Sequence, residues 1–117
     1  MNAYEIPELR FSLPAGGAVA KHRFVSVNSD GNGIQATAST AVIGASMNLV
    51  TAEDNTAGGH IVEIADGIVM VEAGAAITAG AAVASDASGK AVAASGSSCG
   101  VAITGATKAG ALVAVKI

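Results

Sequence analysis

Apolar and polar residues alternate with a period of two along much of the chain, in short runs that glycine interrupts. This period is typical of β-strands, whereas a helix repeats its apolar positions every three or four residues. The alanine content favours helix, but each interior glycine costs a helix about 1 kcal/mol relative to alanine. The pattern predicts strands at residues 23–27, 33–38, 41–46, 60–65, 68–73, 81–85, 91–94, 100–104 and 111–117.

Strand spacing, turn residues and side-chain size narrow the fold class. Many short strands at this spacing predict an all-β fold, either a small β-barrel or a β-sandwich. The pair Asp66-Gly67 lies between two apolar runs and predicts a hairpin or else a kink in one long strand. Fifteen residues are glycine, and only Tyr4, Phe11 and Phe24 are aromatic. Because small side chains bury little apolar area each, we expect contacts with neighbouring chains to supply part of the stability.

One stretch, residues 85–89 followed by Lys90, shows part of a phosphate-binding loop. That loop needs a glycine five residues before the Gly-Lys pair and a serine or threonine after it. The chain has Ala84 and Ala91 at these two positions. The Ser, Asp and Gly residues of the stretch are instead typical of a turn between two strands.

A faint internal repeat appears when the chain is displaced by 56 positions. The aligned pairs are Val27 with Val83, Ser29-Asp30 with Ser85-Asp86, Gly33 with Gly89, and Gly44 with Gly100. The likeness of residues 15–19 to residues 73–77 requires a shift of two further positions. Residues 15–117 are therefore expected to form one β domain, either pseudo-duplicated or matched by chance in a simple Ala/Gly/Ser-rich sequence.

Charge and composition exclude several classes of partner. The net charge of −3 argues against a general nucleic-acid binder, which needs clustered Lys and Arg. The longest apolar stretch, residues 73–84, is too short to span a membrane and is broken by glycine. No signal peptide is visible at the start, so we expect a soluble protein that is made in a cytoplasm.

The residues that could carry chemistry are few. His22 and His60 have no Cys or His at metal-ligand spacing, and Cys99 is the single cysteine. Residues 97–99 lack the nucleophile elbow of a serine hydrolase, and the acidic residues between 53 and 72 are typical of a solvated face or loop. We therefore expect no enzyme activity, no cofactor and no metal.

Residues 1–14 differ from the rest of the chain. They contain both prolines and no glycine, which indicates an extended N-terminal arm that fits poorly inside a sheet. Four apolar side chains, Ile6, Leu9, Phe11 and Leu13, would be costly to leave in water. We expect these residues to bind a neighbouring subunit or the surface of another protein, with a frayed terminus as the alternative.

The order of three segments resembles a known family. The segments are PAGGAV, GGHIVEIADGIVMVEAGAAITAGAAVASDASGKAVAA and CGVAITGATKAGALVAVKI, within residues 14–117. They resemble the DUF2190 family, the small capsid cement or head decoration proteins of tailed bacteriophages. The resemblance implies a β-barrel or β-sandwich subunit that is often trimeric, with a dimer also possible. It further implies binding to the major capsid protein on the outer surface of the virion, and it identifies no catalytic residues.

A second interpretation is a carrier domain of the lipoyl or biotinyl type. Such domains are small, β-rich and pseudo-symmetric, and they present a modified lysine at a hairpin tip. Lys108 within the sequence TKA resembles that lysine. Only eight residues follow Ala109, fewer than the half-domain expected after the modified lysine.

Overall fold

A computed structural model describes residues 5–38, 41–57 and 59–117. Within these residues the chain forms nine strands and one short helix: β1 (Ile6–Pro14), β2 (Phe24–Val27), β3 (Gly33–Gln35), β4 (Gly44–Ser46), α1 (Ala52–Ala57), β5 (Ile61–Glu72), β6 (Ala82–Ser85), β7 (Ala91–Ala93), β8 (Gly100–Ala102) and β9 (Leu112–Lys116). The strands pair antiparallel in a single curled sheet. The predicted all-β fold class is confirmed.

The sheet consists of two halves that share β5. The first part of β5 pairs with β1 on one side and β4 on the other, and its second part pairs with β9. The strand order is β3-β2-β4-β5-β9-β8-β6-β7. A parallel bridge from Ala15 to Gly33 returns the end of β1 to β3, and a bridge from Ala73 to Ala91 returns the end of β5 to β7. Each half therefore curls into a small, incompletely closed barrel.

Successive residues of β5 enter two different cores, because neighbouring side chains of a strand point to opposite faces. Val62 and Ile64 lie in the first core, whereas Ala65, Val69 and Val71 lie in the second. The other buried members of the first core are Val19, Val25 and Val50. The two halves therefore curl toward opposite faces of their shared strand.

The strand β5 runs without interruption through Asp66-Gly67, so the hairpin is wrong and the alternative of one long strand is correct. Gly67 has a φ of 110°, which side chains with a Cβ rarely adopt. A Cβ there would lie 2.7 Å from the backbone nitrogen of Glu8 on β1. The pairing of β1 with β5 shifts register between Pro7 and Leu9, so a bulge at Glu8 faces this glycine.

The prediction that the N-terminal arm lies outside the sheet is wrong for residues 6–14, and residues 1–4 lie outside the described residues. Phe11 pairs with Ile64 and Leu13 pairs with Val62, so both side chains pack against the first core. One proline ends the strand and the other adjoins the bulge, and β1 is an edge strand, where a missing N–H group is tolerated.

The two halves make matching hydrogen bonds. The Asn28 Oδ1 atom accepts hydrogen bonds from the backbone N–H groups two and four residues further along, and Asp86 Oδ1 does the same. These residues are 58 positions apart, so the displacement of 56 misaligned the turns by two. The displacement of 56 does hold for Gly44 and Gly100, where an added Cβ would clash with a backbone oxygen on the adjacent strand. The two turns therefore correspond at their first residues, Asn28 and Asp86, whose side chains cap the turns.

The short helix α1 was not predicted, although the sequence contains its start signal. Thr51 Oγ1 accepts a hydrogen bond from the Asp54 backbone N–H (3.0 Å), and Asp54 Oδ2 accepts one from the Thr51 N–H (3.1 Å). These reciprocal bonds form a capping box and lower the pKa of Asp54. The T-x-x-D spacing could have revealed the helix start.

Candidate interaction surfaces

The structure divides the four predicted arm residues into two pairs. Ile6 and Leu9 are 57% and 55% exposed, respectively. Phe11 and Leu13 are half-buried and pack against the first core of the same chain. Of these four residues, only Ile6 and Leu9 therefore leave most of their apolar surface exposed.

These two side chains belong to a larger apolar strip on the face of the sheet that points away from the second core. Ile6 lies opposite Ile68 on β5, which lies opposite Lys116 on β9, and Lys116 in turn lies opposite Val101 on β8. Directly opposite residues share a face, and Leu9 shares it because it pairs two positions before Ile68. Val101 is 44% exposed. We call Ile6, Leu9, Ile68 and Val101 the apolar strip; Lys116 lies between Ile68 and Val101 on the same face, and Asp66 lies opposite Leu9.

A cluster of charged side chains joins the two halves elsewhere. Glu72 forms an ion pair with Lys90 (3.0 Å) and a longer one with Arg23 (3.4 Å). Arg23 Nη1 also donates a hydrogen bond to the Ser88 carbonyl (3.1 Å). The hydrogen bond from Lys90, aided by Arg23, lowers the pKa of Glu72. The turn interpretation of residues 85–89 is thus confirmed, and the lysine that follows it is bound to a carboxylate.

An open groove of about 810 Å³ lies beside the turn between β6 and β7, and small Ala, Ser and Gly residues form most of its lining. Its ionisable groups are Asp86, whose carboxylate caps the turn, and Cys99. Burial raises the pKa of the Cys99 thiol, which disfavours the reactive thiolate. In the described ranges no group of three His, Cys, Asp or Glu residues is placed to hold a metal ion.

Two further features bear on the predictions of partner and class. Lys108, the residue of the carrier interpretation, is exposed in the connection between β8 and β9. No helix in the described part of the chain is both long and apolar enough to cross a membrane.

Comparison with known proteins adds to this geometry. A family model for phage cement proteins matches residues 6–117. The chain belongs to the phage cement protein family. The family resemblance inferred from the sequence is confirmed, and it gives the chain a structural role in the phage capsid. No curated protein shows a significant match.

A solved structure shares the fold. The crystal structure of the head fiber gp8.5 N base of bacteriophage phi29 superposes with a TM-score of 0.72. The match covers 93% of this chain and 92% of the phi29 chain, at 21% sequence identity. The similarity supports the curled sheet of two halves as a fold that a phage head component also uses.

Sequence reasoning did not identify Ile68 and Val101 as part of a surface. Both lie in strands that were predicted, and the period of two indicates that one face of each strand is outward. The sequence does not contain the register that places them beside Ile6. The sequence contains only a partial indication of this surface, namely the alternation of outward and buried residues along β5 after Gly67.

Proposed function

We propose that the protein is a capsid cement, or decoration, protein that binds the outside of the assembled phage head and stabilises contacts between capsomers. Its partners are the major capsid protein and other copies of itself, in a trimer or, alternatively, a dimer. Family membership over residues 6–117 supports this proposal, and we infer that this whole range acts as one pseudo-duplicated domain. A cement protein needs a rigid scaffold and a complementary surface and performs no chemical step.

The exposed pair Ile6 and Leu9 is the single observation that carries the capsid contact. Both side chains project from β1, which is already hydrogen-bonded to β5. Binding therefore avoids most of the backbone ordering cost of about 1–2 kcal/mol per residue that a disordered arm would incur. Full burial of an apolar side chain of this size is worth about 1.5–3 kcal/mol, so covering the exposed half of each contributes about 1 kcal/mol.

Repetition over the shell makes these small contributions effective. A ligand that binds only the assembled state stabilises that state by mass action. Many copies bound around a closed lattice add their effects, even where each contact is weak. The proposal therefore does not require tight binding by any single subunit.

The test is binding to assembled heads that lack the protein. The double variant Ile6→Ser with Leu9→Ser removes the apolar contact, whereas Leu49→Ser alters an equally exposed side chain (60%) outside the strip. A loss of about 2 kcal/mol corresponds to roughly 30-fold weaker binding, measured as occupancy against concentration. Decorated heads should also resist heating better than bare ones. If the double variant and the Leu49 control occupy heads equally, β1 is not the capsid contact.

A further inference from the structure

The outer face of the first half is buried under the second half of the same chain. Phe24 on β2 and Ala45 on β4 are buried and belong to the second core. The Phe24 N–H donates a hydrogen bond to the Gly89 carbonyl (2.8 Å), and the Glu72 N–H donates one to the His22 carbonyl (2.9 Å). The outer face of the first half is therefore covered by the turn around Gly89 and by the second core.

The corresponding face of the second half is bare. The counterparts of Phe24 and Ala45 in the repeat are Ala82 and Val101, and both are exposed. The turn glycines differ in the opposite sense, because the turn of the second half is covered and that of the first half is open. A Cβ added at Gly89 would lie 3.3 Å from the Cβ of Arg23, whereas one added at its counterpart Gly31 would meet nothing within 4 Å. A surface that is buried in one half is thus open in the other.

The opposite end of the molecule shows the complementary difference. Val69 and Val71 are fully buried in the second core, which the first half covers. Their counterparts 58 positions earlier are Phe11 and Leu13, which are partly exposed at the first core. The apolar end of the second half is thus closed by the outer face of the first half. The equivalent apolar end of the first half is open.

We propose that the outer face of the second half, centred on Ala82 and Val101, binds the open end of the first half of a second copy. The two copies then meet in nearly the arrangement that the two halves adopt within one chain. This inference rests on the self-association in the proposed function and specifies its surface. The contact is head-to-tail, so it closes into a ring when the rotation between copies allows, as a trimer requires.

Strict repetition has one steric exception. Within a chain β5 is the last strand of the first half and the first strand of the second. In a docked copy, residues 6–8 would consequently fall where residues 115–117 of the other copy lie. The docked copy must release these residues from its own β5, and the bulge at Glu8 is where β1 is already irregular.

In a docked copy Ile6 therefore reaches the capsid from a released segment, and the pre-ordering by β5 applies only to an undocked subunit. Leu9 is the counterpart of Gly67, where a Cβ would lie 2.7 Å from a backbone nitrogen, so it is released as well. The contact between copies then begins at Arg10.

Cysteine cross-linking tests the arrangement in the full chain. Two variants are prepared separately, one with Gly31→Cys and one with Ala81→Cys, and both also carry Cys99→Ala. Gly31 is the counterpart of Gly89, and Ala81 is the counterpart of Arg23. The separation of 3.3 Å between an added Cβ at Gly89 and the Arg23 Cβ is close to the roughly 3.5–4.5 Å of a disulfide. When the two variants are mixed at high concentration and oxidised, they should form disulfide-linked dimers.

The control replaces Ala81→Cys with Gly96→Cys, another site where an added Cβ meets nothing. Circular dichroism first verifies that the variants fold, because Gly31 has a φ of 82° that cysteine adopts only with strain. For folded variants, equal cross-linking of both pairs, or no cross-linking of either pair, overturns the proposal.

Two further variants probe the surface itself. Val101→Asp should reduce the cross-linked fraction at least tenfold, whereas Ile61→Asp, at a position of similar exposure (46%), should leave it unchanged. Removal of residues 2–7 should retain cross-linking, because docking releases that segment, while it removes Ile6 from the capsid contact. Cross-linking is measured without heads, so its failure is distinct from failure to decorate them. Cross-linking that survives Val101→Asp or needs residues 2–7 would exclude this interface.

Discussion

Replacing Phe11 by alanine should separate the structural role of β1 from its role in contacts. Truncating a fully buried Phe costs about 3–5 kcal/mol, and the half-buried Phe11 at the rim of the first core should cost about 2 kcal/mol. Leu9 lies on the same strand but is 55% exposed, so Leu9→Ala should change the free energy of unfolding by less than about 0.5 kcal/mol. At about 4 °C per kcal/mol for a chain of this size, the Tm should fall by about 8 °C and less than 2 °C, respectively.

Thermal unfolding followed by circular dichroism measures both variants, and urea titration gives the free energies independently. Equal urea m-values for parent and variants would show that the same surface unfolds in each. The same reasoning predicts that deleting residues 2–13 destabilises the domain itself, because the deletion removes β1. If Phe11→Ala melts at the parent temperature, the packing of β1 on the first core is wrong and these residues act as a free arm.

Two further predictions concern the shared sheet and the charged cluster. Gly100→Ala should destabilise by about 1–3 kcal/mol in urea titration, because its Cβ would lie 2.5 Å from the Lys116 carbonyl oxygen, and Gly96→Ala, in open space, should be near neutral. Glu72→Gln should cost up to about 1 kcal/mol at pH 7. Because the folded pKa of Glu72 is lowered, its contribution is present above the unfolded pKa and is lost as the pH falls through the folded value. Parent and variant should therefore converge in acid, and a constant difference down to about pH 2 would refute the role of this ion pair.

The strand positions were predictable because short-range alternation reflects which side chains face a core. The predicted segments 60–65 and 68–73 both overlap β5 and each extends one residue beyond it, and the other predicted segments each contain an observed strand. The sequence at Asp66-Gly67 is compatible with both a hairpin and a continuous strand. The choice depends on the Glu8 bulge opposite Gly67, a contact between residues distant along the chain. Local pattern could not resolve it.

Composition and pattern by themselves determined that this protein is β-rich, because period and glycine spacing act over a few residues. The order of its segments carried the resemblance to a family of capsid proteins. Tertiary structure alone decided which apolar residues are available to partners. Ile6 and Phe11 look alike in the sequence and lie on the same face of the sheet, yet Phe11 packs against the first core while Ile6, beyond the bulge, is exposed. Likewise Ala45 and Val101 occupy the same place in the repeat, but only the first is covered. Burial depends on what packs from elsewhere in the chain, and a linear pattern does not contain that information.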